Sequence, residues 1–376
     1  MRILHLFDDR MTPLDFEILR LLVESVRGSS DATVVGLGVM GAQVPRRFAR
    51  SWPRPYHLGF PPPHPLATVP WIRRVVRQTD CDLIHAWGVR PAITATLAGL
   101  ERLPVLATVT SPHLDRREVR WLSKARNAPP LPMACFSEVI RRKLVQRGYP
   151  PTELGVIRPG LDVDRLTPGT RGQQRDRLGI TEGQPVLITC PPPSREGGQY
   201  FAVWATALLE QAFPDVRLLV PGVSKEQRRL KRFVHGFAKP HLYIFPDPSV
   251  GFFELLAAAD VCVSPAVGPV ATTALAWVMA AGVPLVGSRV PALTEVLTDG
   301  QTASLSAPGR PAELAGRIRD LLRDEGLADR LRDAARRAGR QLFGSQRMLE
   351  EYHRAYARLV AGRTLFGTAT ADAAEA

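Results

Sequence analysis

The stretch from Ala259 to Ser306, ADVCVSPAVGPVATTALAWVMAAGVPLVGSRVPALTEVLTDGQTASLS, decides the fold. From Val261 to Ser288 it carries no charge, a length of apolar chain sufficient to cross a bilayer. Its punctuation argues against that. Pro265, Gly268, Pro269, Gly282, Pro284 and Gly287 cut it into strand, loop, short helix and strand, the pattern of buried α/β structure.

The same alternation extends in both directions. Upstream stand RILHLF, a helix predicted from about Pro13 to Val26, ATVVGLGV, DLIHAW with a helix from about Pro91, VLATVT, MACFS with a helix over Glu138 to Arg147, and GVIRP. This βαβ order predicts parallel strands with helices on both faces. Gly160 to Gly179 turns polar and turn-rich, and reads as a hinge. A second series follows: PVLITC, a helix from about Gly198 to Phe213, VRLLVPG, a helix through Arg232, LYIF, a helix near Leu255, and then the opening stretch. Helices are predicted after Pro311, over Leu327 to Leu342 and over Gln346 to Val360. The fold class is therefore α/β, with doubly wound Rossmann-like domains over 1–160 and 161–345 and a frayed tail over 364–376. The proline clusters Pro53 to Pro70 and Pro129 to Pro132 read as exposed loops.

Composition agrees. The chain has 376 residues, 45% hydrophobic and 23% charged, enough for two cores and unlike a disordered polymer or a disulfide miniprotein. Net charge is +13, and only five of the 49 cationic side chains are lysine. Guanidinium suits phosphate partners, although solvated surface accounts for arginine equally well. Cys81, Cys135, Cys190 and Cys262 form no CxxC pair and lie in or beside apolar runs, so they read as buried small hydrophobes. The start, MRILHLFDDR, lacks a cleavable signal pattern, which gives the expectation of a cytoplasmic protein.

At this point the wording resembles a known family. DLIHAWG (Asp82 to Gly88), SEVIRRKLVQRGYPPTELGVIRPGLDVDRLTP (Ser137 to Pro168), the segment Asp260 to Ile318 with Gly282, Pro284, Glu295, Asp299 and Gly300, and QRMLEEYHRAYARLV (Gln346 to Val360) are similar to family 4 glycosyltransferases of the GT-B fold. The resemblance implies two Rossmann-like domains facing a cleft, a helix over 346–363 crossing back to the first domain, and sugar transfer from a nucleotide donor. It also implies retention of configuration and no metal or cofactor beyond the UDP- or GDP-linked co-substrate.

The chemical positions depart from the family. Its two donor-site glutamates, eight positions apart, fall here on Pro269 and Trp277, and neither side chain accepts a hydrogen bond. Its phosphate-binding Arg and Lys fall on Pro192 and Gly197 when the chain is aligned on Gly198 and Gln199. The donor-binding candidates are then Arg195, Gly198, Lys225, Glu295 and the helix N-terminal amides at Thr272 and Thr273. N-capping is the plainer role for both threonines. In the first domain the family's glycine-rich loop has become Asp8, Asp9 and Arg10, and its histidine has become Thr110. His113 is the candidate catalytic replacement, set against an ordinary exposed loop histidine. His85 and Trp87 fall at a strand end facing the cleft, where His85 reads as a hydrogen-bonded structural residue. Asp8 and Asp9 are discounted as metal ligands, because neighbours on an extended chain point to opposite sides.

Two readings of function follow. The first is a glycosyltransferase acting on a glycan or lipid acceptor; the basic stretches Arg116 to Arg126 and Gln227 to Phe237 read either as peripheral contacts to anionic membrane or, more plainly, as solvated helix faces. The second is a catalytically inactive GT-B pseudoenzyme acting as a binding or scaffold protein. Trp277 plugging the donor gap, with Arg195 turned to solvent, is the arrangement that would overturn the first reading and leave the second. Nucleic-acid binding rests on net charge alone and is not expected.

Overall fold

Strands form where the sequence is apolar on both faces and ends in a turn residue, as a sheet covered on both sides requires. The computed structural model describes residues 1–8, 10–26, 33–36, 65–79, 81–98, 103–123, 130–162, 170–236 and 239–366. Asp9, residues 37–64, the end of each basic stretch (124–126 and 237) and the tail beyond 366 lie outside them. The chain divides into two compact units, Met1–Gly160 with Ser345–Ala376, and Leu161–Gly344.

The first unit runs β1 (Ile3–Phe7), α1 (Pro13–Val26), β2 (Thr33–Gly36), α2 (Pro65–Thr79), β3 (Leu83–Trp87), α3 (Val89–Leu97), β4 (Val105–Val109), α4 (Arg116–Ser123), β5 (Met133–Cys135), α5 (Glu138–Gln146) and β6 (Leu154–Val156). Its sheet is parallel in the order β2-β1-β3-β4-β5-β6. The second unit runs α6 (Arg171–Arg177), β7 (Val186–Thr189), α7 (Gln199–Leu209), β8 (Arg217–Leu219), α8 (Lys225–Gly236), β9 (Tyr243–Ile244), α9 (Phe252–Leu256), β10 (Val261–Ser264), α10 (Thr273–Ala281), β11 (Leu285–Ser288), α11 (Pro291–Thr294), β12 (Ser304–Ser306), α12 (Pro311–Arg323) and α13 (Glu325–Phe343). Its sheet is also parallel, in the order β12-β11-β10-β7-β8-β9. The uncharged stretch is β10, loop, α10 and β11, and no described helix is long and apolar enough to cross a membrane.

A final helix, α14 (Ser345–Val360), belongs to the first unit and buries Met348, Tyr352 and Tyr356 in its core. Polar bonds fix its register. His85 Nδ1 lies 2.8 Å from the Tyr356 hydroxyl and His85 Nε2 lies 2.7 Å from Thr108 Oγ1, which is 2.9 Å from the Tyr352 hydroxyl. The Trp87 indole donates to His5 Nδ1 at 3.2 Å. His85 is thus the hydrogen-bonded structural residue expected, covered by the tyrosines of α14, but it and Trp87, at 0% and 1% exposure, are enclosed rather than open at a strand end, Trp87 among the rings of His5, His85 and Phe136. Burial lowers the His5 pKa to about 3, and burial with the neighbouring His5 pushes His85 well below its ordinary value.

Three other local expectations are corrected. Pro65 and Pro70 lie in α2 and not in a loop; Pro65 takes the first helical position, where no intrahelical N–H bond is lost. Pro130 and Pro132 are half-buried rather than exposed, beside a Leu131 carbonyl that accepts from the Tyr149 hydroxyl. The turn-rich stretch before Gly179 contains α6, capped by Thr170 and anchored by buried Arg175, whose guanidinium pairs with Asp260 at 2.9 Å and donates to the Ala258 carbonyl.

Two buried neutral histidines make the stability of this unit pH-dependent. Each has a folded pKa below its unfolded value near 6.5, so its contribution is complete above pH 6.5 and is lost as pH falls toward the folded values. Denaturant melts between pH 7.5 and 4 are expected to lose roughly 1.4 kcal/mol per pH unit per histidine below pH 6. His85→Gln should remove about half of that slope.

Candidate functional site

Parallel sheets bind ligands beyond the carboxyl ends of their strands, where the strand order reverses. In the second sheet the reversal falls between β7 and β10, which pair with Thr189 opposite Val263. Two loops leave these strands side by side, residues 190–198 before α7 and 265–272 before α10. They are knitted together. The Val267 amide donates to the Glu196 carbonyl at 2.8 Å, and a Cβ on Gly198, at φ 67°, would stand 2.1 Å from the Pro265 carbonyl oxygen. Ser194 Oγ accepts from Gly197 N at 2.9 Å, and Ser224 Oγ donates to the Pro193 carbonyl, which ties in the loop before α8.

Four buried polar atoms at this edge have no hydrogen-bond partner among the described residues: Thr189 Oγ1, Thr272 Oγ1, Thr273 Oγ1 and Trp277 Nε1. Thr272 holds the N-cap position of α10, yet its side chain makes no capping bond. The capping role expected for Thr272 and Thr273 is therefore corrected: Thr272 has φ −89° and ψ −7°, near-helical rather than the extended backbone from which a cap side chain turns back. The amides of Thr273 and Ala274 have no acceptor inside the helix, as in any first turn. Trp277, one turn beyond Thr273, is 4% exposed and meets Phe253 edge to face at 5.5 Å. Donor groups without a partner, at the positive end of a helix, suit an anion.

The remaining candidates surround this edge at different depths. Gly198 is buried in the loop joint, where its positive φ and the Pro265 carbonyl exclude any side chain. Arg195 and Lys225 are exposed, Lys225 at the first position of α8. Glu295 is half-buried at the C-cap of α11. Arg289, which sequence reasoning passed over, pairs with Asp299 at 2.7 Å.

On the first sheet the order reverses between β1 and β3. Asp8 Oδ1 accepts from the Arg10 amide in a tight turn. Arg10 makes a two-pronged pair with Glu118 at 2.8 and 3.0 Å, and Arg90 joins at 2.6 Å. Asp15 accepts from Thr12 Oγ1 at 2.8 Å and from Thr110 Oγ1 at 3.4 Å. His113 is exposed, its amide bonded to Ser111 Oγ. Sequence reasoning missed the Arg10, Glu118 and Arg90 cluster, whose members lie far apart in the chain. The Thr12-x-x-Asp15 capping box was legible in the letters.

Comparison with known proteins gives the family. The profile described as Glycosyltransferase Family 4 covers residues 22–165, and that described as Glycosyl transferases group 1 covers residues 186–324. The chain belongs to the family 4-like glycosyltransferases of the GT-B fold. It is 29% identical over 272 residues to a Mycobacterium tuberculosis GDP-mannose-dependent alpha-(1-6)-phosphatidylinositol dimannoside mannosyltransferase, covering 69% of this chain and 67% of that one. It is 23% identical to the Bacillus anthracis N-acetyl-alpha-D-glucosaminyl L-malate synthase over 78% of this chain and 79% of that one. Anabaena HepE, solved with UDP and glucose, superposes on this glycosyltransferase with TM-score 0.81 at 18% identity, over 95% of this chain and 99% of that one.

The loop joint gives a sharp expectation. Gly198→Ala adds both a forbidden φ and a collision with backbone, and should lower stability by about 2 kcal/mol or more in thermal or urea melts. Gly172→Ala, in α6 with open space around it, is expected to be neutral or to stabilise by up to about 1 kcal/mol.

Proposed function

We propose that the chain transfers a glycosyl group from a UDP- or GDP-linked sugar to a glycan or lipid acceptor, with the donor diphosphate seated at the N-terminus of α10. The observation that carries this reading is the set of partnerless hydroxyls, Thr189, Thr272 and Thr273. A buried hydroxyl without a partner costs about 1–3 kcal/mol, so three at one strand edge are accounted for by a ligand that supplies the acceptors. In this reading the α10 amides and the two threonines replace the missing cationic pair, and Arg195 and Lys225 add positive potential from the rim. The donor phosphates need no metal here, since amides, hydroxyls and guanidinium meet their charge. The nucleotide choice draws on relatives named for GDP-mannose and solved with UDP. His113 and the first-sheet edge are assigned to the acceptor, and transfer proceeds with retention at the cytoplasmic face of the membrane.

Membrane contact is assigned to two cationic surfaces. On α4, Arg116, Arg117 and Arg120 are exposed beside Trp121 at 39% exposure. On α8, Lys225, Arg228, Arg229 and Arg232 are exposed, with Trp204 and Leu208 of α7 at 43% and 47%. Arginine beside a half-exposed indole suits an anionic interface. The chain is expected to co-sediment with phosphatidylglycerol vesicles, to be released by 0.5 M salt, and to bind several-fold more weakly as Trp204→Ala/Leu208→Ala.

The pseudoenzyme is the second reading, and two observations favour it: Arg195 is exposed, and Trp277 is buried against Phe253. Titration calorimetry with UDP and GDP separates the two. The transferase reading expects binding, weakened roughly 10-fold or more by Thr272→Val through loss of a charge-assisted bond. The same substitution should raise the melting temperature of the free protein, because it removes an unsatisfied buried hydroxyl. No binding by either nucleotide overturns the transferase reading.

A further inference from the structure

Two thiols 72 residues apart in sequence meet at the reversal point of the second sheet, with Cys190 Sγ 3.8 Å from Cys262 Sγ. Cys190 was expected to be one more buried small hydrophobe; it is half-buried at the first position beyond β7. Cys262 is fully buried inside β10, opposite Ile188 on one side and Leu285 on the other. Cys81 and Cys135 belong to the other unit. Neither sulfur is among the candidate donor-binding residues, although Cys190 opens the loop that carries Arg195 and Gly198.

We propose that Cys190 and Cys262 form an oxidation site, converted by a peroxide-class oxidant to an intrachain disulfide that displaces the loop over residues 190–198. The Cys190 thiolate attacks one peroxide oxygen and becomes a sulfenic acid, and the other oxygen leaves as water after taking up a proton. The Cys262 thiol then attacks the Cys190 sulfur; the S–S bond forms as the S–O bond breaks, and the thiol proton leaves with hydroxide as a second water. Two thiols are oxidised and one peroxide is reduced to two waters. The order of events follows from burial, because Cys190 is half-buried whereas Cys262 is fully buried. Burial and the contact with Cys190 push the Cys262 thiol well above its ordinary pKa, so it is not the sulfur that attacks the peroxide.

Bond formation brings the sulfurs from 3.8 Å to about 2.05 Å. Cys262 is held by a strand on each side, so the movement falls on Cys190 and the loop it opens. That loop transmits it. Gln199 Nε2 donates to the Cys190 carbonyl at 3.1 Å while Gln199 Oε1 accepts from Ser194 N at 3.2 Å, and Gly198 has no clearance from the Pro265 carbonyl. Control of nucleotide affinity by oxidation rests on the donor site proposed above; the cross-link itself does not.

The test uses the full chain, reduced, freed of reductant and treated with hydrogen peroxide. Of its four thiols, two should remain when counted under denaturing conditions, and non-reducing peptide mass spectrometry should find the 190–262 disulfide, reversed by a phosphine reductant. Cys190→Ser and Cys262→Ser should each form no cross-link, and the wild-type peptide result stands even if one variant folds poorly. Cys190 over-oxidised without a bond to Cys262, or joined to another cysteine or another chain, overturns the proposal. Calorimetry with UDP and GDP then compares the two states, with affinity expected to fall roughly 10-fold on oxidation. Equal affinity in both states overturns the control of the site. If the cross-link forms and neither state binds, the donor reading falls and the oxidation site stands.

Discussion

The second unit turns on one contact without clearance, Gly198 against the carbonyl of Pro265. Because no Cβ fits there, the loop leaving β7 can lie directly on the loop leaving β10, and the Val267 to Glu196 bond closes the joint. Everything at the sheet edge follows from that approach. It sets where α7 and α10 begin, brings Thr189 to the same edge as Thr272 and Thr273, and places Cys190 over Cys262. A side chain at position 198 would part the loops and disperse these groups together.

The two sheet edges meet charge differently. On the first, Glu118 is already neutralised by Arg10 and Arg90, and Asp15 is occupied by threonine donors. On the second, the polar atoms are donors whose partners are missing. Hydroxyls without a partner stand at the N-terminus of α10, which is why the proposed anionic ligand is assigned there.

The fold was legible because parallel strands buried on both faces leave long apolar words, and their punctuation by glycine and proline separates strand from helix. Helix ends were less so: α7 stops at Leu209 rather than Phe213, and α6 was hidden in a stretch rich in Gly, Arg and Asp. The site was legible as far as spacing reaches. Thr189 comes to the same sheet edge as Thr272 and Thr273 only through the pairing of β7 with β10, and letters gave the type of the two adjacent threonines but not their lack of partners. The Cys190 and Cys262 contact, the Glu118 cluster and the tyrosines over His85 are pairings across 72 to 271 residues, which no local pattern encodes.

The last helix carries a consequence for biosynthesis. Residues 1–160 leave the ribosome long before Tyr352 and Tyr356, so His85 and Thr108 wait for their covering hydroxyls while the whole of the second unit is made. The unit translated second is contiguous and can complete its core first. Until α14 arrives, the first sheet has all its strands but lacks the helix whose Met348, Tyr352 and Tyr356 complete its core and cover His85 and Thr108.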